Sequence, residues 1–434
     1  MFLARLLVLF SLVCISCAHS SFEQKQLKHA LNFATSNRLE LEILLQHYTY
    51  DSLKLEAAKF LIRNMPHCYS YQQGGEMDSV KRVRTYYSPF GQIDQTYARR
   101  WGHYTYRNLP KIYDAHIITA EYLIDNIDRA FDNWQKRPWN RSLSFEDFCE
   151  YLLPYRIGDE PLEEWRELYE KKYGYLLDSI YKGSDVVEAA NLVSRHLQEP
   201  VFIYCEDFEL PHIGPRYLFS HRYGSCVDAA DIVTYAFRAV GIPCMEDTDA
   251  RGGHVWNVVR DTTGRDVPIW YIASEAVRGS RDTGGYKRGK VYRPMYGFQE
   301  EKAAHLGDDW KSMPLLFYHP YMKDVSYAYY PDTLRILTGI PDDEVCYLAH
   351  FHEAHWWSCA CARSASGKME IPNLESELVY LPMKYTKGNY YPSGFPFWFA
   401  GGEINTFLPD WEKTVKVRLY RKYPVYGWLR SFMG

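Results

Sequence analysis

A cysteine that opens a helical segment and a histidine that heads the next strand-like segment are the residues best placed to do chemistry. Tyr223-Gly224-Ser225-Cys226 leads into Val227 to Val240, with apolar side chains at Ala229, Ala230, Val233, Phe237 and Val240. That three- and four-residue spacing predicts a helix. Gly241 stands where a left-handed cap belongs, and Pro243 where a helix cannot continue. Next, Gly252-Gly253-His254-Val255-Trp256-Asn257-Val258-Val259 alternates as a strand does and breaks at the turn Asp261-Thr262-Thr263-Gly264. A thiol at a helix N-terminus feels the positive end of the helix dipole, which favours thiolate. The free N–H groups of the first turn can hold an oxyanion. An imidazole from the adjoining strand would complete a nucleophile–base pair, Cys226 with His254. Tyr223 and Ser225, with His221 further upstream, are placed to shape the oxyanion pocket.

The elements that must position this pair predict an α+β chain. Helical spacing recurs over Phe22 to Leu45, Ser52 to Ile62, Ile117 to Trp134 and Asp185 to Leu197, and Ser144 reads as the N-cap of a short helix ended by Pro154. The segment Arg278 to Arg293, rich in Gly, Arg and Lys, reads as an exposed loop. Short β-prone runs then follow at Val325–Tyr330, Val345–Phe351, Trp356–Ala360, Glu377–Tyr385, Phe397–Ala400 and Thr414–Arg421, with turn signals between them, as in a β-sandwich. The expected division is a signal segment over 1–17, a helical region over 18–200, a core over 201–318 and a β-rich domain over 319–434.

Composition narrows the function. At 434 residues the chain needs more than one core. A net charge of −4 gives no electrostatic case for nucleic acid. The charged start Met1 to Arg5 and the short apolar run Leu6 to Ile15 form an export signal, too short to span a bilayer. Its end, Cys14-Ile15-Ser16-Cys17, resembles a bacterial lipoprotein signal, which implies lipidation at Cys17 and a place in the cell envelope, or otherwise secretion. The ten cysteines are scattered rather than arranged as a disulfide framework.

The segment Gly224-Ser225-Cys226 through Ala239-Val240-Gly241-Ile242-Pro243, followed by Gly253-His254-Val255-Trp256-Asn257, resembles the transglutaminase-like superfamily, over roughly Leu218 to Glu275. The helical leader and β-rich tail are similar to exported transglutaminase-domain proteins of Bacteroidetes. The resemblance implies a papain-like α+β core with Cys226 as nucleophile and His254 as general base. The third member departs from the pattern. Where the family carries an acid after the hairpin, Asp266-Val267-Pro268-Ile269-Trp270 puts a tryptophan. Asp266 lies four residues early, roughly 13 Å along a strand, and Glu275 five residues late. Glu275 is taken as the third member, with Asp266 as the alternative, while Asn257 faces away from His254 on a regular strand.

His350-Phe351-His352-Glu353-Ala354-His355, near Cys359 and Cys361, has zinc-ligand residue types but not the His-Glu-x-x-His spacing. It reads as a turn with incidental histidines, so no metal and no organic cofactor are expected. Two functions follow. One is an exported, lipid-anchored cysteine hydrolase acting on peptide or amide bonds, glycopeptides included, through an acyl-enzyme. The other is a catalytically degenerate surface protein whose pocket binds glycan or peptide.

Overall fold

The computed structural model describes residues 21–87, 106–199, 201–204, 210–251, 253–270, 274–281, 287–300, 313–337, 340–352 and 355–413. With 42% of the described residues helical and 25% in strands, it is a mixed helix-and-sheet protein. Cys17 and the strand expected at Thr414–Arg421 lie outside the described residues. Among those described, no helix is long and apolar enough to cross a membrane.

The N-terminal half is built from α1 (residues 21–33), α2 (Arg38–His47), α3 (Ser52–Asn64), α4 (Gly75–Tyr87), α5 (Ala120–Lys136), α6 (Phe145–Tyr151), α7 (Arg166–Tyr175) and α8 (Val186–Leu197). Local sequence sets their ends. Asp51, Thr119, Ser144 and Asp185 each accept a first-turn N–H at a helix start. The single helix expected over Phe22 to Leu45 is two, because Thr35 takes a positive φ of 49° and a 3-10 turn intervenes.

After a short helix α9 (Pro215–Ser220) comes α10 (Cys226–Ala239), ended as expected by Gly241 at φ +81°. It packs on an antiparallel sheet of β1 (Cys244–Asp249), β2 (Val255–Arg260), β3 (Asp266–Ile269), β4 (Val291–Pro294) and β5 (Met322–Asp324), in the order β3-β2-β1-β4-β5. Two expectations fail here. The segment Arg278 to Arg293 is not wholly an exposed loop: Arg288, Lys290 and Arg293 are buried, and Arg293 is drawn into β4 by Asp247 on β1. Residue 200 is not a core boundary either, since Tyr169, Val187, Val193 and Leu197 share one hydrophobic cluster with Phe237, Trp256 and Tyr329. That cluster also carries the core past 318.

Val325–Tyr330 is a 3-10 turn rather than a strand. Beyond it, β6 (Asp332–Leu337) pairs with β9 (Lys368–Leu374). A six-stranded sheet runs β8 (His355–Arg363), β7 (Val345–His352), β10 (Leu378–Thr386), β12 (Phe397–Ala400), β13 (Glu403–Thr406), with β11 (Asn389–Pro392) on β10. Leu334, Met369 and Ile371 from the small sheet share a core with Leu348, Tyr380 and Phe399 from the large one.

His350 on β7 is fully buried, with neither ring nitrogen hydrogen-bonded among the described residues. Burial first, then the nearby Arg251 charge, push its imidazole down to about 3. His67 is likewise held at about 3, by burial and then by His319. The unfolded chain titrates these rings near ~6.5, so between there and about pH 3 it binds protons that the fold refuses. Stability therefore falls with acidification across this window, by about 1.4 kcal/mol per pH unit for each ring. Glu150, pushed up to about 7 by burial against the pull of the Tyr296 and Gly297 N–H groups, works in the opposite direction. The clean measurement is a difference. In urea unfolding between pH 6.5 and 4.5, His350→Leu should have a shallower acid loss than the parent chain by about 1.4 kcal/mol per unit. Equal slopes would refute the buried-neutral assignment.

Candidate active site

Ser225 caps α10. Its hydroxyl accepts the Val227 N–H at 3.3 Å, and Asp228 reaches back to accept the Ser225 N–H at 2.8 Å, closing a capping box. Asp228 also accepts from the Arg84 guanidinium at 2.6 Å, a pair with side chains 6% and 7% exposed. Gly224 is needed at this crossing, because a Cβ there would stand 2.2 Å from the Asp228 carboxylate and 2.5 Å from Arg84. Cys226 follows, buried and free of any disulfide, on the wall of a cavity of about 540 Å3. Such a volume falls within the ~300–1,000 Å3 of small-ligand sites.

Gly253 and Val255, the neighbours of His254, line the same cavity. The first turn of α10 and the turn entering β2 therefore border one cavity, although His254 itself is not among the residues that line it. The His254 ring stacks on Trp256 at 5.6 Å and meets Trp270 edge-on at 4.7 Å. Trp256 donates to Tyr329, whose hydroxyl donates to Asp247. Asn257 points the other way, as alternation requires, and donates to the Ala230 carbonyl of α10 at 3.0 Å.

The acids expected as a third member are elsewhere. Asp266 begins β3 opposite Arg260 and is held by Arg293 and Tyr151. Glu275 is exposed and paired with Arg195 at 2.5 Å. Both assignments are corrected: register holds Asp266 at the far end of β3, and Glu275 belongs to a surface ion pair. Trp270 is brought to the imidazole along with Trp256. Two pocket assignments change as well. The Ser225 N–H is engaged by Asp228, so the Cys226 N–H is the nearer oxyanion donor. Tyr223 is buried in a short parallel pairing with Ile203, under the Arg84 guanidinium at 5.4 Å. His221 caps its own helix end through the Tyr217 carbonyl.

The imidazoles that line the cavity with Cys226 include that of His212 and not that of His254. His212 donates through Nδ1 to both oxygens of Asp231 at 2.9 Å, and Asp231 is fully buried on α10. Burial opposes charge on this ring, but Asp231, with Asp159 and Glu160 nearby, lifts it well above its ordinary range. Its outer edge is wedged against Gly158, where a Cβ would come within 2.3 Å of Nε2. The sequence signal for this site is a polar stripe at helical spacing, Asp228, Asp231, Thr234 and Arg238, inside a helix otherwise apolar.

Compared with known protein families, with curated proteins and with solved structures, the chain matches none. The chemistry of this cavity therefore has to be argued from its own residues.

Proposed function

We propose that this protein is a cysteine hydrolase of transglutaminase-like type that acts on peptide or amide bonds. The observation that carries the reading is the position of Cys226: a thiol in no disulfide, in the first turn of a 14-residue helix, on the wall of a cavity of about 540 Å3. The helix dipole and a cationic His212 in the same cavity both favour thiolate. The thiolate attacks the carbonyl carbon, and the Cys226 N–H steadies the oxyanion. His254 returns a proton to the leaving amine, and water then cleaves the acyl-enzyme. Export by the N-terminal signal, with lipid attachment at Cys17, would place this activity in the cell envelope, on peptide, glycopeptide or glycan-bearing substrates.

The second reading is a binding protein without turnover. It is favoured by the His254 ring, which is not among the groups lining the cavity and meets Trp270 edge-on at 4.7 Å. Alkylation separates the two. In the enzyme, iodoacetamide should label Cys226 well below pH 8, and His254→Ala should move that profile towards the ordinary thiol range near 8.5. A Cys226 profile already in that range, unchanged in His254→Ala, would leave the binding reading.

A further inference from the structure

The cavity follows α10 well past Cys226, since Val227, Asp228, Thr234 and Arg238 line it too. Thr234 accepts the Asn257 amide at 2.9 Å and donates its hydroxyl to Oε1 of Glu246 at 2.7 Å. Glu246 stands on β1, 8% exposed, and lines the same cavity. Its second oxygen, Oε2, has no hydrogen-bond partner among the described residues and is not one of the atoms sealed from the cavity. Cations line this cavity as well, but most are engaged elsewhere. Arg84 is tied to Asp228, Arg156 to Asp114 and Glu160, and His212 to Asp231. Arg238 is spread over the carbonyls of Glu150, Tyr151, Arg156 and Cys244, and Arg107 lies over the Tyr106 ring at 5.0 Å. Burial raises the Glu246 carboxyl above its ordinary range, against the pull of His212, Thr234 and Arg238. A carboxylate held out of water in this way is costly until a cation reaches it.

We propose that Glu246 is the specificity residue of this cavity: its open oxygen takes a primary ammonium carried by the substrate, two helical turns along α10 from Cys226. The inference rests on the reading of Cys226 as the group that meets the amide. Thr234, which holds Glu246, is eight residues beyond Cys226, a rise of about 12 Å. An extended peptide covers that span in roughly three or four residues. The ammonium of a chain start fits there, and a lysine side chain reaches the same point from nearer the scissile bond. An ammonium on a carboxylate makes a charge-assisted hydrogen bond, which is strong where water is scarce. An acetylated amine offers Oε2 an N–H but leaves the acid's lost hydration uncompensated.

The test separates recognition from reactivity. Cys226→Ala protein, which cannot react, is titrated by calorimetry with three peptides: tetra-alanine amide with a free amine, its N-acetylated form, and N-acetyl-lysyl-trialanine amide. At least one ammonium-bearing peptide should bind tenfold or more tightly than the acetylated tetra-alanine. Which of the two does so identifies the source of the charge. Adding Glu246→Gln, which keeps the shape and the bond to Thr234, should bring the three affinities together, and circular dichroism checks that the variant folds. Equal affinity for all three peptides, no binding of either ammonium, or a preference that survives Glu246→Gln overturns the proposal. Failure of Cys226 to alkylate below pH 8 in the parent protein instead overturns the hydrolase reading and leaves the binding result standing.

Discussion

Cys226→Ala is expected to lower turnover of any peptide or amide substrate by roughly 10⁴-fold or more, the scale seen when a covalent nucleophile is removed. The expectation follows from geometry rather than from the residue type. Six other described cysteines are in no disulfide, yet Cys68, Cys149, Cys244, Cys346 and Cys359 are buried thiols whose surroundings push their titration up. Burial is the first cause in every case. Cys226 alone among the seven opens a helix facing the cavity. The substitution removes one sulfur from a position 6% exposed, so the fold should hold. Equal circular dichroism spectra, together with lost hydrolysis of a glycopeptide or peptide library, would meet the expectation. Full turnover by Cys226→Ala would end the cysteine mechanism.

Much of this site was legible because it is local. The apolar spacing of α10, the glycine at its end and the alternation of β2 all act over a few residues, and each falls within a residue or so of its expected place. The position of Asn257 was legible for the same reason, since strand alternation decides its side. What was not legible depends on partners far apart in sequence. Arg293 looked solvent-exposed in a basic, glycine-rich stretch, but its partner is Asp247, on another strand. Asp266 looked like a displaced catalytic acid until Arg260, Arg293 and Tyr151 were seen around it. His212 sits in a loop with no periodicity, and only Asp231 on α10 marks it. A helix that places Asp228, Asp231, Thr234 and Arg238 on a stripe inside a core must have polar partners there, and that stripe was the available hint.

The largest stability effect is expected at the Asp247–Arg293 pair. Asp247 accepts from Arg293 Nε at 2.6 Å and Nη2 at 2.9 Å, and from the Tyr329 hydroxyl at 2.7 Å. Side-chain exposure is 0% for Asp247 and 3% for Arg293. Arg293 reaches on to Asp266 at 2.7 Å and to the Tyr151 hydroxyl, so one guanidinium ties β1, β3 and β4 to α6. Asp247→Ala leaves that cation buried with half its partners and should destabilise the fold by about 3–5 kcal/mol. Against a total of about 5–15 kcal/mol, this approaches unfolding. The cost comes mainly from the stranded charge, so removing both charges should recover part of it. Asp247→Leu/Arg293→Met should therefore be more stable than Asp247→Ala alone, with a coupling in urea unfolding of opposite sign to the single losses. A single-variant loss below about 1 kcal/mol would show that water reaches the pair. The same network holds Trp256 through Tyr329, and Trp256 underlies the His254 ring. Asp247→Ala should thus also broaden the pH profile of Cys226 alkylation, whereas a surface pair such as Arg195–Glu275 should leave it unchanged.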